Sequence, residues 1–284
     1  MEREELLYHP DSAMPVIDPK LRSLNIDVPA QPEALVKLSL LLAEDEVNLQ
    51  ALARLIESDM ALASAVLKAV NSSLYGLKGR VQSVQQAVTY LGTREVAAVT
   101  FEMGLRAVFP AAPELEPLWQ RAGVRGLLMG RIGQVLSVDP WGAHSAGLFE
   151  ECGKAVLFKH SQAIYQPMLA SAADDTELMY LESQAFGVSH DLLGAALCES
   201  WGLAQAAVAS VRHHVTVNAT RELPPQVPRR SICALSALAN ALMTDPDSLE
   251  EVARAVAPQA LLDETLVLRG ARKVKQQIED AEAR

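Results

Sequence analysis

The sequence predicts an all-α protein built from many helices. From Pro32 onward, apolar residues recur at three- and four-residue spacing, which is the period of an amphipathic helix. No stretch sustains the alternation and β-branched enrichment of a strand. The 15 prolines and 15 glycines in 284 residues divide the periodic stretches into helices of ordinary length. We therefore expect a multi-helix assembly without a sheet.

The first half of the chain, up to about residue 110, is predicted to hold five helices. The first carries its apolar stripe at leucines 35, 38 and 42. Four residues with short polar side chains then stand where N-caps are needed, because such side chains bond to the free N–H groups of a first turn: Asn48, Asp59, Ser83 and Thr93. The third helix is expected to end near residue 71, and Gly92 to stop the fourth.

A proline pair marks the main internal boundary. Pro110 and Pro113 flank two alanines, and this stretch breaks any helix. Helical periodicity then resumes over residues 115–136, 142–160, 163–173, 177–185, 192–201 and 204–214. We predict an extended arm at 1–25, a domain at 26–220 made of units 26–110 and 114–220, and C-terminal helices at 221–284 that pack on the domain. The last of these, at 264–283, could instead mediate dimerisation.

Composition and charge exclude several functions. With 25 basic and 35 acidic residues, the formal net charge is −10, which opposes binding to polyanions. A nucleic-acid-binding regulator is therefore the weakest of the functions considered. The apolar runs are too short to span a membrane, and the acidic N-terminus does not resemble a secretory signal. We expect a cytoplasmic protein with no membrane partner, whose three widely separated cysteines are buried thiols.

Several blocks of sequence, in order, carry a family resemblance. They are 32–35 (PEAL), 52–59 (LARLIESD), 70–76 (VNSSLYG), 83–92 (SVQQAVTYLG), Trp119, 146–148 (AGL), Gly153-Lys154, 186–187 (FG), His190, Gly194, Trp201 and His213-His214. Together they resemble the HDOD family of bacterial signalling proteins. The positions taken as family motifs are Asn71, Ser72, Tyr75, Gly76, Gly153, Lys154 and Trp201.

The resemblance implies an N-terminal helical bundle packed on a degenerate relative of the HD-domain metal phosphohydrolases. Those enzymes hold metal with a first His and an adjacent His-Asp pair, which generate a metal-bound hydroxide. Here the first-His position is matched by Arg121, and the His-Asp pair by Glu150 and Glu151. An arginine cannot ligate a metal because its guanidinium stays protonated. We therefore expect no metal, no other cofactor and no catalytic residue.

Three histidines, His190, His213 and His214, remain as degenerate-site residues. His213 and His214 are adjacent on a helix and diverge by about 100°, so they are not expected to share one metal. The replacements also suggest that Arg121 occupies the space of the lost metal and pairs with Glu150 or Glu151. The alternative is an i,i+4 pair between Glu150 and Lys154 on a solvated helix face.

The resemblance implies a non-catalytic regulatory protein that acts as a protein-interaction scaffold in bacterial signalling. Its partners would be other cytoplasmic signalling proteins. The cleft between units 26–110 and 114–220 is the expected docking place, because clefts between units collect ligands and partners. The alternative is a residual metal-dependent phosphohydrolase acting on nucleotides or cyclic dinucleotides.

Overall fold

The computed structural model describes residues 26–44, 47–77 and 79–283, so the predicted arm at 1–25 lies outside the described residues. Within those ranges the chain is all-helical, as predicted. The first part holds α1 (Glu33–Leu42), α2 (Leu49–Glu57), α3 (Met60–Val70), α4 (Val84–Leu91) and α5 (Thr93–Arg106).

The second part begins with α6, α7 and α8, which are Glu116–Leu136, Pro140–Phe149 and Cys152–His160. It continues with α9 (Gln162–Ser171), α10 (Asp175–Phe186), α11 (His190–Ser200) and α12 (Gln205–Thr220). The last helices are α13 (Arg230–Thr244), α14 (Leu249–Val256) and α15 (Glu264–Glu282). None of the helices in the described ranges is long and apolar enough to cross a membrane.

Side-chain capping explains where several of the first helices begin. Asn48 Oδ1 accepts the N–H groups of residues 50 and 51, and Asp59 Oδ1 accepts those of residues 61 and 62. Ser83 Oγ accepts the N–H of residue 86, so three of the four predicted caps are confirmed. Thr93 was wrong as a cap, because it is the first residue of α5 and Gly92 precedes it without a side-chain bond.

The predicted helix over 142–160 was wrong as a single element. The chain forms α7 and α8 instead, and the two helices meet at Glu150 and Glu151. Lys154 N–H bonds to the carbonyl of Glu151 three residues back, so the α-helical ladder is interrupted there. Helical periodicity could not reveal this break, because residues 142–149 and 152–158 are buried on every face of the two helices and leave no exposed stripe to follow.

The buried apolar side chains of the described residues form one continuous core. It runs from Leu35 in α1 to Ile278 in α15 and includes residues of both predicted units. Trp201, at the end of α11, donates its indole N–H to the carbonyl of Pro29 at 2.9 Å, across 172 residues of sequence. This bond ties the segment before α1 to the second half of the chain.

The C-terminal helix α15 packs on α6 and on the short turn Ser73–Tyr75. Gly76 follows that turn with φ +67°, and a Cβ at this position would lie 3.0 Å from the carbonyl oxygen of Ala281. A side chain at residue 76 would therefore meet both backbone strain and the end of α15. Gly76 is thus needed both for the turn and for the close packing of α15 against it.

Candidate functional site

The candidate site is the junction between α7 and α8. Helices α6, α10, α11 and α12 surround this junction. Gly153 permits the close approach of α11, because a Cβ at residue 153 would lie 1.8 Å from the carbonyl oxygen of His190 at the start of α11. This contact brings the junction residues Glu150 and Glu151 into the interior. Both glutamates are buried completely or almost so, at 0% and 1% relative exposure.

The cation that neutralises the junction is Arg125 of α6. Its Nη1 lies 2.9 Å from Glu150 Oε2, its Nη2 lies 3.5 Å from Glu151 Oε1, and its side chain is only 5% exposed. Ser210 Oγ donates a further bond to Glu150 at 3.2 Å. Arg125 therefore holds the central position that the sequence analysis gave to Arg121.

Arg121 joins the same cluster from the outside. It lies one helical turn before Arg125, on the same face of α6, and its Nη2 is 3.2 Å from Glu151 Oε2. Its side chain is 48% exposed, so the pair with Glu151 forms but is only half buried. The predicted pair of Arg121 with Glu151 therefore forms, but the prediction that Arg121 takes the interior position was wrong, because Arg125 occupies it.

Lys154 completes the arrangement. Its ammonium nitrogen lies 3.0 Å from Glu151 Oε2 and 2.7 Å from Asp175 Oδ1 of α10, and its side chain is 3% exposed. The alternative of a solvated Glu150–Lys154 pair was therefore wrong, because both residues point inward. Arg121, Arg125 and Lys154 face the carboxylates of Glu150, Glu151 and Asp175, and this set of six is called the ion cluster below.

The pKa values of the acidic members reflect this pairing. Burial raises the pKa of Glu151, but Lys154, Arg125 and Arg121 outweigh burial and hold it well below its usual range. Burial also raises the pKa of Asp175, but the charge of Lys154 outweighs burial, and the pKa of Asp175 falls to about 2. The carboxylates of Glu151 and Asp175 are thus ionised at neutral pH, opposite the cations that pair with them.

The family resemblance places a metal site at Arg121, Glu150 and Glu151, and the residues of the ion cluster do not fit a metal there. A cation would have to displace the guanidinium of Arg125 and the ammonium of Lys154 from carboxylates that they already neutralise. Neither protein cation is a metal ligand in its charged form. No hydroxide-generating step is therefore derived for these positions.

The histidines occupy a neighbouring layer. His190 donates its backbone N–H and its Nδ1–H to Glu182 Oε2, each at 2.7 Å, and Tyr165 Oη donates to the other oxygen at 2.5 Å. His214 Nδ1 lies 2.7 Å from the carbonyl of Val211, and burial lowers the pKa of His214. The two rings are 5.5 Å apart between centroids.

His213 points elsewhere and is only partly buried. Burial, assisted by the nearby charge of Arg212, lowers its pKa. Among the described residues, the histidines that share a ligand cluster are His190 and His214, together with Asp175. His213 lies outside that group, and the expectation that His213 and His214 do not share one metal stays a prediction.

The remaining family-motif positions serve the fold. Asn71 Nδ2 donates to the carbonyls of Leu67 and Val81, and its Oδ1 accepts the N–H of Val81 at 3.1 Å. The Asn71 side chain thereby closes the loop 71–81. Tyr75 is partly buried and packs against the core, and Ser72 precedes the turn Ser73–Tyr75 without making a side-chain cap bond.

A cavity of about 470 Å³ opens between the two predicted units. Its walls come from α1, α5, α6 and α7, and they include Leu42, Arg94, Trp141 and His144. An ion pair crosses it, with Arg131 Nε 3.1 Å from Glu95 Oε1. The volume falls within the range typical of ligand pockets, about 300–1,000 Å³.

Comparison with known proteins identifies the family. The model of the HDOD domain matches residues 28–217. The chain belongs to the HDOD family. A curated protein of Treponema pallidum (strain Nichols), named only as uncharacterized, is 25% identical over 209 residues, which cover 71% of this chain. The aligned region is 40% of that protein, so this chain spans well under half the length of that relative.

Solved structures share the HDOD fold with this chain. An HDOD domain protein of unknown function from Geobacter sulfurreducens has a TM-score of 0.66 at 18% identity, covering 92% of this chain and 95% of its own. A Marinobacter aquaeolei VT8 protein, provisionally named a signal transduction protein, has a TM-score of 0.69 at 22% identity, with coverage of 92% and 61%. A Shewanella amazonensis SB2B protein, provisionally named a phosphohydrolase, has a TM-score of 0.63 at 17% identity, with coverage of 89% and 93%.

Sequence reasoning missed four residues of this region: Arg125, Tyr165, Asp175 and Glu182. One signal was available for Arg125, because it follows Arg121 at i+4 and shares its helix face. Asp175 and Glu182 lie on α10, whose many acidic residues resemble an exposed helix. Only the packing of α10 against α12 and α11 shows that these two carboxylates are directed inward.

Proposed function

We propose that this HDOD protein is a non-catalytic regulatory module that binds other proteins of a bacterial signalling system. The ion cluster is the observation that carries the proposal. Arg125 and Lys154 pair with Glu150 and Glu151, the residues that the family resemblance aligns with the metal-binding His-Asp pair. A site of this kind contributes to structure, and it supplies neither a Lewis acid nor an activated water.

The cleft between units 26–110 and 114–220 is the docking place in this proposal. It combines apolar walls with charged and polar side chains, and clefts between units are common places for binding sites. Trp141 offers a ring for contact, and Arg131 and Glu95 offer charges of both signs. The chain's formal charge of −10 favours a partner surface with basic groups.

The name of the Marinobacter protein supports a role in signalling. The class of partner is inferred from what the resemblance to the HDOD family implies. We propose other cytoplasmic signalling proteins as partners, because the HDOD family model matches residues 28–217 and the resemblance to that family implies such partners. The regulated output would then belong to the partner. Binding would act through the cleft and would not depend on turnover by this chain.

One experiment compares hydrolysis and binding. Purified protein is assayed for nucleotide and cyclic dinucleotide hydrolysis with added Mn²⁺, and tagged protein is used to capture partners from cells of its source. We expect no turnover above that of an Arg125→Ala variant. We also expect a partner that is retained by Tyr180→Ala, at an exposed position on α10, and lost by Trp141→Ala in the cleft.

The alternative, a residual metal-dependent phosphohydrolase, is tested by the same assay. Metal-stimulated turnover that disappears in His190→Gln and His214→Gln would support the alternative and contradict the non-catalytic proposal. If wild type and Trp141→Ala capture the partner equally, the protein is still a binding module, but its docking place is not the cleft.

A further inference from the structure

Two histidines beside the ion cluster converge with Asp175, which is a member of that cluster. Asp175, His190 and His214 each present one ligand atom, and these atoms all lie within 4.8 Å of one another. Both imidazoles are buried, at 0% and 1% exposure. Within the described part of the chain, the Nε2 atoms of both rings have no hydrogen-bond partner.

The second nitrogen of each ring explains why Nε2 is left as an acceptor. His190 Nδ1 lies 2.7 Å from Glu182, and His214 Nδ1 lies 2.7 Å from the carbonyl of Val211. A neutral imidazole has one donor and one acceptor nitrogen, so a proton on Nδ1 leaves a lone pair on Nε2. Two buried lone pairs then face a carboxylate, and a bound cation would satisfy all three groups.

We propose that Asp175, His190 and His214 bind one divalent transition-metal ion through the two Nε2 atoms and one carboxylate oxygen. Two imidazoles and one carboxylate suit Zn²⁺ and Fe²⁺, and three protein ligands leave at least one position open for water. Ligand bonds of about 2.0–2.2 Å require the three atoms to move slightly closer together. The site lies next to the ion cluster and shares only Asp175 with it.

The surroundings of the histidines match the outer shell of a metal site. Metal-ligating histidines commonly donate their other N–H to a carboxylate or a backbone carbonyl, which fixes the ring and raises its basicity. His190 uses Glu182 in this way and His214 uses Val211. Tyr165 in turn fixes Glu182 by a 2.5 Å bond.

Lys154 already occupies one oxygen of Asp175 and so limits how Asp175 can bind a metal. Its ammonium group holds Asp175 Oδ1 at 2.7 Å and also contacts Glu151. A carboxylate has two oxygens, so Asp175 can keep the bond to Lys154 with one and bind metal with the other. The nearby positive charge lowers the affinity, but the carboxylate of Glu182 behind His190 partly offsets it.

The test measures binding of Zn²⁺ itself. Full-length protein is stripped with a chelator, and Zn²⁺ is titrated in competition with a chromophoric chelator, while Co²⁺ uptake is followed by its visible absorption. We expect about one equivalent per chain, Co²⁺ bands of a four- or five-coordinate ion, and a higher thermal midpoint with metal. Glu182→Gln should weaken Zn²⁺ binding roughly 10–100-fold.

His213 and His214 provide a matched pair of variants. His214→Gln should lose the Co²⁺ bands and weaken Zn²⁺ binding at least as much as Glu182→Gln, whereas His213→Gln should bind like wild type. Asp175→Asn, at a partly exposed position, gives a second ligand variant in case His214→Gln does not fold. Circular dichroism of the metal-free proteins checks folding.

Two results would overturn the proposal. One is a wild-type protein that takes up no Zn²⁺ or Co²⁺ at millimolar concentration, which would mean that an ordered water bridges the two rings. The other is equal binding by wild type, His214→Gln and Asp175→Asn, which would place the metal elsewhere on the surface.

Discussion

At the scale of single residues, Arg125 and Arg121 form a natural comparison, because both contact Glu151 and only one is buried. Arg125→Met should lower the free energy of unfolding by about 3–5 kcal/mol, since it leaves Glu150 buried without its cation. Arg121→Ala should lower it by less than about 1 kcal/mol, because Lys154 and Arg125 still neutralise Glu151. Urea unfolding at pH 7 measures both, and equal losses would contradict the assignment of Arg125 to the interior.

Glu102 of α5 should make stability depend on pH near neutrality. Burial raises its pKa to about 7, with Arg106 opposing and Glu116 adding to the rise. From about pH 4.5 to pH 7 the folded state keeps a proton that the unfolded state has lost, so this residue's contribution to stability falls as pH rises.

Glu102→Gln should therefore be more stable than wild type by about 1–2 kcal/mol at pH 8, less than the full linkage value because the carboxyl is partly exposed. The difference should shrink toward zero at pH 5. Denaturant unfolding at the two pH values measures it. A pH-independent difference would show that the carboxyl titrates normally.

At the scale of helices, the contact between α8 and α11 depends on Gly153. A methyl group there would overlap the backbone of His190, which cannot move aside as a flexible side chain can. Gly153→Ala should therefore lower the free energy of unfolding by about 3 kcal/mol or more.

Gly270→Ala in α15 is the control for that change. Its added methyl group would meet chiefly the side chain of Val135, which is 48% exposed and can shift. Alanine also favours a helix over glycine, so stability should change by no more than about 1 kcal/mol. Thermal unfolding compares the two variants, and similar losses would mean that the α8–α11 approach is looser than described.

The start of a helix could be predicted from the sequence where the interaction that defines it is local. Asn48, Asp59 and Ser83 bond to backbone groups two or three residues away, so the sequence alone located the starts of their helices. The junction at Glu150 and Glu151 is set by Arg125, about 25 residues earlier, and by the α8–α11 contact. Local periodicity contains neither of these interactions.

The same reasoning applies to the candidate site. Family resemblance indicated Glu150, Glu151, His190 and His214, because those positions align with known motifs. It did not indicate Asp175, which reaches the site only through the packing of α10. The two histidines could therefore be predicted as site residues from the sequence, but the neighbouring carboxylate of Asp175 could not.

At the scale of the whole molecule, the continuous core predicts one cooperative unfolding transition. Apolar side chains from Leu35 to Ile278 belong to the same buried cluster. Trp201 is also bonded to Pro29, so the two halves are coupled directly. Tryptophan fluorescence and far-ultraviolet circular dichroism should give the same midpoint in urea. Separated midpoints would show that the two predicted units unfold independently.

The bond between Trp201 and Pro29 also has a consequence in time. A ribosome adds roughly 5–20 residues per second, so the indole is synthesised on the order of 10–30 seconds after the carbonyl that it will contact. Through that interval the helices of the first unit can form, but the carbonyl of Pro29 lacks the indole N–H that will bond to it. The amino-terminal end of this domain is therefore among the last parts to be fixed, although it is the first to leave the ribosome.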